Sequence, residues 1–334
     1  MGWQPDDSAD AAYYYIVSRQ WSACARLGRT SIPPLLTLLN DPGRLRQQGQ
    51  IIWTLGQIGD AAAIPPLLDA LQTGRSDIRR AAVEALGEIG TREVVSPLLI
   101  ALKDERQEVQ WAADQALQMV ALEEAVDDLA AGLADNDSVV RLAVVRLLGR
   151  LQNREVRTWL KQALYDADIQ VRLQVVGALA RLDDVETLAV ALNDSDPAVR
   201  AAAIRALGQV DDPHVLQIIA PAVDDEDLGV RKAAVEALVA SRFPLAIEPL
   251  SSVLNSRDAQ LRLMAVQAIG DSGETAVFPD LQRSFRDANA DTRQAILISL
   301  AKLDAPASLG FLTAALSDAD DQVRVTAVQL LDHF

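Results

Sequence analysis

Residues 199–208 read Val199-Arg200-Ala201-Ala202-Ala203-Ile204-Arg205-Ala206-Leu207-Gly208. Relatives of this stretch recur along the chain. They include Ile78-Arg79 through Leu86-Gly87, Val140-Arg141 through Leu148-Gly149, Val230-Arg231 through Leu238, and Leu261-Arg262 through Ile269-Gly270. Aligned on the arginine, the chain falls into register at positions 48, 79, 110, 141, 172, 200, 231, 262, 293 and 324. Every step is 31 residues except one of 28. A fixed period of this length is the signature of stacked helical units, each too small to bury its own apolar face.

Within the unit the spacing predicts two helices. Helix A is of the type Ile32-Pro33-Pro34-Leu35-Leu36 or Ile64-Pro65-Pro66-Leu67-Leu68, with proline tolerated in the first turn because those N–H groups have no intrahelical partner. An acidic loop follows, such as Asn193-Asp194-Ser195-Asp196-Pro197, in which Asp196 is the expected N-cap and Pro197 the first helical residue. Helix B then runs to a glycine or an apolar stop, and the glycines at 56, 87, 149, 208 and 270 read as those stops. Counting from the arginine as zero, positions 3, 4 and 7 are apolar and form the core face, while positions 1, 5 and 9 are mostly polar and share the opposite face. In two-layer helical solenoids the B helices usually line the concave side, so these three positions mark the expected concave surface. The expected fold is all-α, a right-handed superhelical solenoid of ten such units over residues 30–334, with an N-terminal helical cap over residues 1–29.

Bulk properties narrow the function. Half the residues are apolar but only 4% are aromatic, which suits closely packed small and aliphatic side chains. A net charge of −16 argues against nucleic-acid binding, which depends on Lys and Arg neutralising phosphate. The single cysteine, Cys24, excludes an internal disulfide framework. The N-terminus lacks a basic and then apolar secretory pattern, and no run of eighteen apolar residues suggests a spanning helix, so the expectation is a cytoplasmic protein. Only His214 and His333 are present, neither beside a cysteine, and no Gly-rich phosphate loop occurs. The run Asp224-Asp225-Glu226-Asp227 lacks EF-hand spacing and reads as a capping loop. No catalytic residue, metal site or cofactor is expected from these patterns.

The pattern A-x-x-P-L-L-x-A-L, then D-x-D-x-x-V-R-x-A-A-x-x-A-L-G-x-I-G, resembles the HEAT repeat. More narrowly it resembles the HEAT-like repeat named after phycobilisome lyases. Residues 76–90 are a close match, and the likeness runs from about residue 30 to 334. The resemblance implies a solenoid that binds other proteins. It also implies an alternative function, a phycobilin lyase or bilin-handling chaperone acting on phycobiliproteins, for which bilin would be the ligand. No lyase catalytic motif matches the sequence. A HEAT-like DNA glycosylase is disfavoured by the charge.

The zero position is Arg79, Arg141, Arg172, Arg200, Arg231, Arg262, Arg293 or Arg324 in eight of the ten units, and an Asp commonly precedes it by six or four residues. Such forks are expected to pair with loop carboxylates of the same or the neighbouring unit and to set the register of the stack.

Departures from the repeat single out candidate binding residues. Trp53 and Trp111 stand on a face that is mostly polar elsewhere. Arg146, Arg150, Arg181 and Arg205 form a basic group on an acidic chain. The third unit has Gln110 at the zero position and Asp114 at a core position, beside Gln115 and Gln118, and a carboxylate there is costly unless paired. The leading reading is a non-catalytic scaffold or adaptor. Trp53 and Trp111 would anchor a protein partner, and the four arginines would hold the acids of its binding segment. Under the alternative, the arginines would hold bilin propionates.

Overall fold

Most B helices from the fourth repeat on begin where a carboxylate accepts from their first free N–H groups. Asp196 accepts from the Ala198 N–H with Pro197 as the first helical residue, and Asp137, Asp258 and Asp320 cap their helices in the same way. In the computed structural model of the chain, which describes residues 9–120, 122–151, 153–241, 244–303 and 305–333, this device recurs along the repeat. The described residues hold 22 α-helices and no strand. Twenty form ten A/B pairs, from Ile32–Leu39 with Gln48–Ile58 to Ala305–Ala315 with Asp321–Leu331. The N-terminal region is a pair of short helices, Ala9–Val17 and Trp21–Arg26, joined through Arg19 in a left-handed conformation (φ 56°). The second of these packs on the first B helix.

The core follows the helical period. At positions 3, 4 and 7 of the B helices lie Ala82, Val83 and Leu86, Val144, Val145 and Leu148, and Ala203, Ile204 and Leu207, all buried. Full burial of each large aliphatic side chain is worth about 1.5–3 kcal/mol, so this stripe outweighs any surface pairing. The chain divides into two units, residues 1–178 and 179–334.

The arginines and the acidic loops form a relay. The Arg79 guanidinium donates to both Asp104 oxygens at 2.7 and 2.8 Å, 25 residues on, and to its own loop carbonyl of Gly74 at 3.0 Å. Arg141 grips Asp166 (2.7 and 2.9 Å), and in the second unit Arg200 grips Asp225 and Arg293 grips Asp318. The same carboxylates accept from the N–H two residues ahead, as Asp166 does from Asp168 and Asp225 from Asp227. One aspartate therefore ties the preceding repeat to its own loop turn, and the next aspartate of the D-x-D pair caps the B helix. The expectation of loop pairing holds, with the carboxylate coming from the following repeat. The Asp225 and Asp227 of the acidic run are thus occupied, one by Arg200 and one by the Val230 N–H.

The glycines correct the sequence reading. Gly56, Gly87 and Gly270 lie inside their helices, and the helices end further on at Gly59, Gly90 and Gly273, all with positive φ near 70°. A Cβ at Gly87 would sit 2.6 Å from the Ala116 Cβ, and one at Gly56 would sit 2.7 Å from the Ala85 Cα. These glycines let successive B helices touch backbone to backbone. Gly149 and Gly208 do stand at helix ends, with ordinary negative φ.

Candidate functional site

The face opposite the core stripe presents positions 1, 5 and 9 of consecutive B helices. In the first unit the helices Gln48–Ile58, Ser76–Ile89, Gln107–Met119 and Ser138–Leu148 are neighbours in that order. Their periodicity puts the large exceptions to the repeat in water. Trp53 is 42% exposed and Trp111 64% exposed, so neither fills a gap between helices. Gln115 is exposed one turn beyond Trp111, and Met119, one turn further, is 55% exposed. The third B helix therefore carries an open stripe of Trp111, Gln115 and Met119, where the preceding one carries Arg80, Glu84 and Glu88.

Asp114 lies at the rim, its side chain about one quarter exposed, and it is paired. The Arg146 Nη2 of the next repeat donates to Asp114 Oδ1, and the Gln118 Nε2 approaches the other oxygen at 3.5 Å. The carboxylate at a core position is thus neutralised by an arginine 32 residues on. Arg146 is consequently engaged, with its Nε buried and unbonded, and differs from the other members of the basic group. Arg150 is exposed at the end of the same helix and forms no side-chain pair among the described residues. Arg181 and Arg205 are likewise exposed and unpaired, and they belong to the second unit. The structure therefore brings Trp111, Asp114, Gln115 and Arg146 onto adjoining helices, with Arg150 just past the end of the second and Trp53 two repeats away on the same face.

The sequence reading missed two features. Met119 extends the Trp111 stripe and was visible in the same register. Arg19, Arg26 and Arg46 border Trp53 from outside the B-helix positions. Their signal was compositional: residues 19–50 hold five arginines and one acid, Asp41.

No group of three or more metal-ligating side chains gathers among the described residues, and no described helix is long and apolar enough to cross a membrane.

The model for HEAT repeats matches residues 21–86, 74–148, 126–191, 185–258 and 247–332. The chain is a HEAT-repeat protein. Among curated proteins none matches this HEAT array in sequence. Solved structures resemble it at the level of fold. An engineered protein is 18% identical, with 90% of this chain and 97% of that one covered at a TM-score of 0.42. The Kap95p–RanGDP complex contains a chain 14% identical, with 96% of this chain and 51% of that one covered at a TM-score of 0.48. The CpcE–CpcF complex of phycocyanin lyase from Nostoc contains a chain 22% identical, with coverage of 72% and 94% and a TM-score of 0.34.

Proposed function

We propose that this HEAT array is a non-catalytic scaffold that binds a protein partner on the B-helix face. The observation that carries the reading is the stripe Trp111, Gln115 and Met119, open to water on a face that is charged in the repeat before it. Large exposed apolar side chains ringed by polar ones mark contact surfaces, and tryptophan is enriched among residues that dominate such contacts. Trp111 is the central anchor and Trp53 a second one. Among the described residues Arg150 is the free cation nearest in sequence to the stripe, and the second unit carries its own exposed arginines, Arg181 and Arg205. Unpaired arginines on a chain of net charge −16 favour an acidic partner segment. Arg146 has a different role, holding Asp114 and hence the third and fourth B helices in register.

The test is affinity purification from the source cells with the wild type and with Trp111→Ala, Met119→Ala, after equal helicity has been verified by circular dichroism. A protein that co-purifies with the wild type and is lost from the variant supports the scaffold. Equal recovery in both removes this face. Recovery of coloured phycobiliprotein subunits would favour the bilin-handling alternative.

A further inference from the structure

Trp53 stands between two grooves of the first unit. One is lined by Arg19, Trp21, Arg26, Gln50 and Trp53. The other is lined by Gln50 and Trp53 again, with Arg46, Arg75 and Arg80 among its walls. Since Gln50 and Trp53 border both, the grooves form one surface, from the turn between the first two helices to the second B helix.

The charges on this surface are of two kinds. Arg75 is paired with Asp77 at 3.1 Å and Arg80 with Glu84 at 3.7 Å, both in exposed pairs. Arg19, Arg26 and Arg46 are exposed and form no side-chain hydrogen bond or ion pair among the described residues. This contrasts with Arg79, Arg141, Arg200 and Arg293, each of which grips a carboxylate. Arg19 also keeps a left-handed backbone (φ 56°), a conformation that a glycine would hold with less strain.

We propose that this surface docks an extended acidic segment of a partner protein. An apolar side chain of the segment lies against the Trp53 indole, and its carboxylates meet Arg19 and Arg26 on one side and Arg46 on the other. Three free guanidinium groups divided between two grooves suit spaced carboxylates better than one compact anion. Asp77, Glu84 and Glu88 share the same groove, and a peptide can space its carboxylates to avoid them where a continuous phosphate backbone cannot, which favours a peptide over a nucleic acid. The proposal rests on the scaffold reading, and adds residues outside the B-helix stripe together with the chemistry of what they hold.

The test uses the full chain and a fluorescein-labelled peptide of alternating glutamate and aspartate with one central phenylalanine, followed by anisotropy. Saturable, salt-sensitive binding is expected. Arg19→Gly, Arg26→Gln and Arg46→Gln should each weaken it about threefold, as exposed charges do. Trp53→Ala should weaken it about tenfold. Arg257→Gln, on an exposed arginine of the second unit, should leave it unchanged. Arg19→Gly is the discriminating variant, because relief of the left-handed turn should keep the protein at least as stable while binding falls. No saturable binding, binding by the three arginine variants as tight as by the wild type, or tighter binding of a single-stranded oligonucleotide would each overturn the proposal. In that event, a partner still lost with Trp111→Ala would leave the scaffold itself standing. Peptide binding here with no partner captured through Trp111 would do the reverse.

Discussion

The Lys103 Nζ lies 2.8 Å from the Asp135 Oδ2, the carboxylate that an arginine would grip if the third repeat carried one at position 110. Gln110 keeps half of the lost function: its Nε2 donates to the Asp104 carbonyl at 2.6 Å, the bond that Arg141 makes to the Asp135 carbonyl in the next repeat. The other half, the forward link, has passed to a lysine on the preceding turn. Lys103→Ala should therefore cost about 1 kcal/mol, as partly exposed pairs do. Adding Gln110→Arg should recover most of it, since the new fork would meet the vacated Asp135. Urea unfolding of the single and double variants checks this; no recovery in the double variant would show that the two residues do not share one role.

A second break in the relay has no substitute among the described residues. Arg231 reaches back to the Asp225 and Glu226 carbonyls, but 25 residues ahead of it stands Ser256 in place of the aspartate that Arg200 finds. Ser256 Oγ still accepts from the Asp258 N–H at 3.2 Å, so the loop turn is formed. Ser256→Asp should keep that turn and add the charged fork, stabilising the protein by about 1–2 kcal/mol. A raised thermal midpoint is the expected result.

Two glycines should respond to alanine with opposite signs. At Gly177, inside the helix Ile169–Arg181, an added Cβ meets nothing within 4 Å. Gly177→Ala should stabilise by up to about 1 kcal/mol through helix propensity. At Gly87 the Cβ would lie 2.6 Å from that of Ala116, and Gly87→Ala should destabilise despite the same propensity gain. Thermal unfolding of the two variants gives the comparison directly.

The relay also sets a pH dependence. Hydrogen bonds from Arg79, Arg200 and Arg293 hold the Asp104, Asp225 and Asp318 carboxyls below the usual carboxylate range, and Lys103 does the same to Asp135. A carboxyl depressed in the folded state contributes stability that is complete above its unfolded value of about 3.9 and is lost as pH falls through the folded value. Stability should therefore hold through neutral pH and fall below about pH 4. Asp225→Asn should lower stability at pH 7 and make the acid limb shallower, as read from urea midpoints between the two pH ranges.

The ten units and the core stripe were legible because both follow from period alone: the arginine register and the apolar positions 3, 4 and 7 repeat within one helix. Contacts between repeats were only half legible. That an aspartate commonly precedes the arginine was visible, but not that Arg141 passes over its own loop aspartate side chains to take Asp166 of the next repeat. Gly56 and Gly87 were misread because Leu-Gly in a helical pattern looks like a stop, and only the facing Ala85 and Ala116 show that the glycine serves close approach. Asp114 and Arg146 were each noticed, yet their partnership spans 32 residues and joins positions 4 and 5 of different units, which no single-helix pattern encodes. Arg19, Arg26 and Arg46 escaped because the B-helix register does not include them; they gather at Trp53 only after folding.

The most direct test of the scaffold reading is site-specific photo-crosslinking in the source cells. One protein carries the crosslinker in place of Gln115, beside Trp111 on the B-helix face, and a control carries it in place of Thr37, exposed on the first A helix. A discrete protein adduct is expected at position 115 that disappears with Trp111→Ala and is absent at position 37. Equal adducts at both positions, or an adduct at 115 that survives loss of the tryptophan, would contradict the scaffold reading.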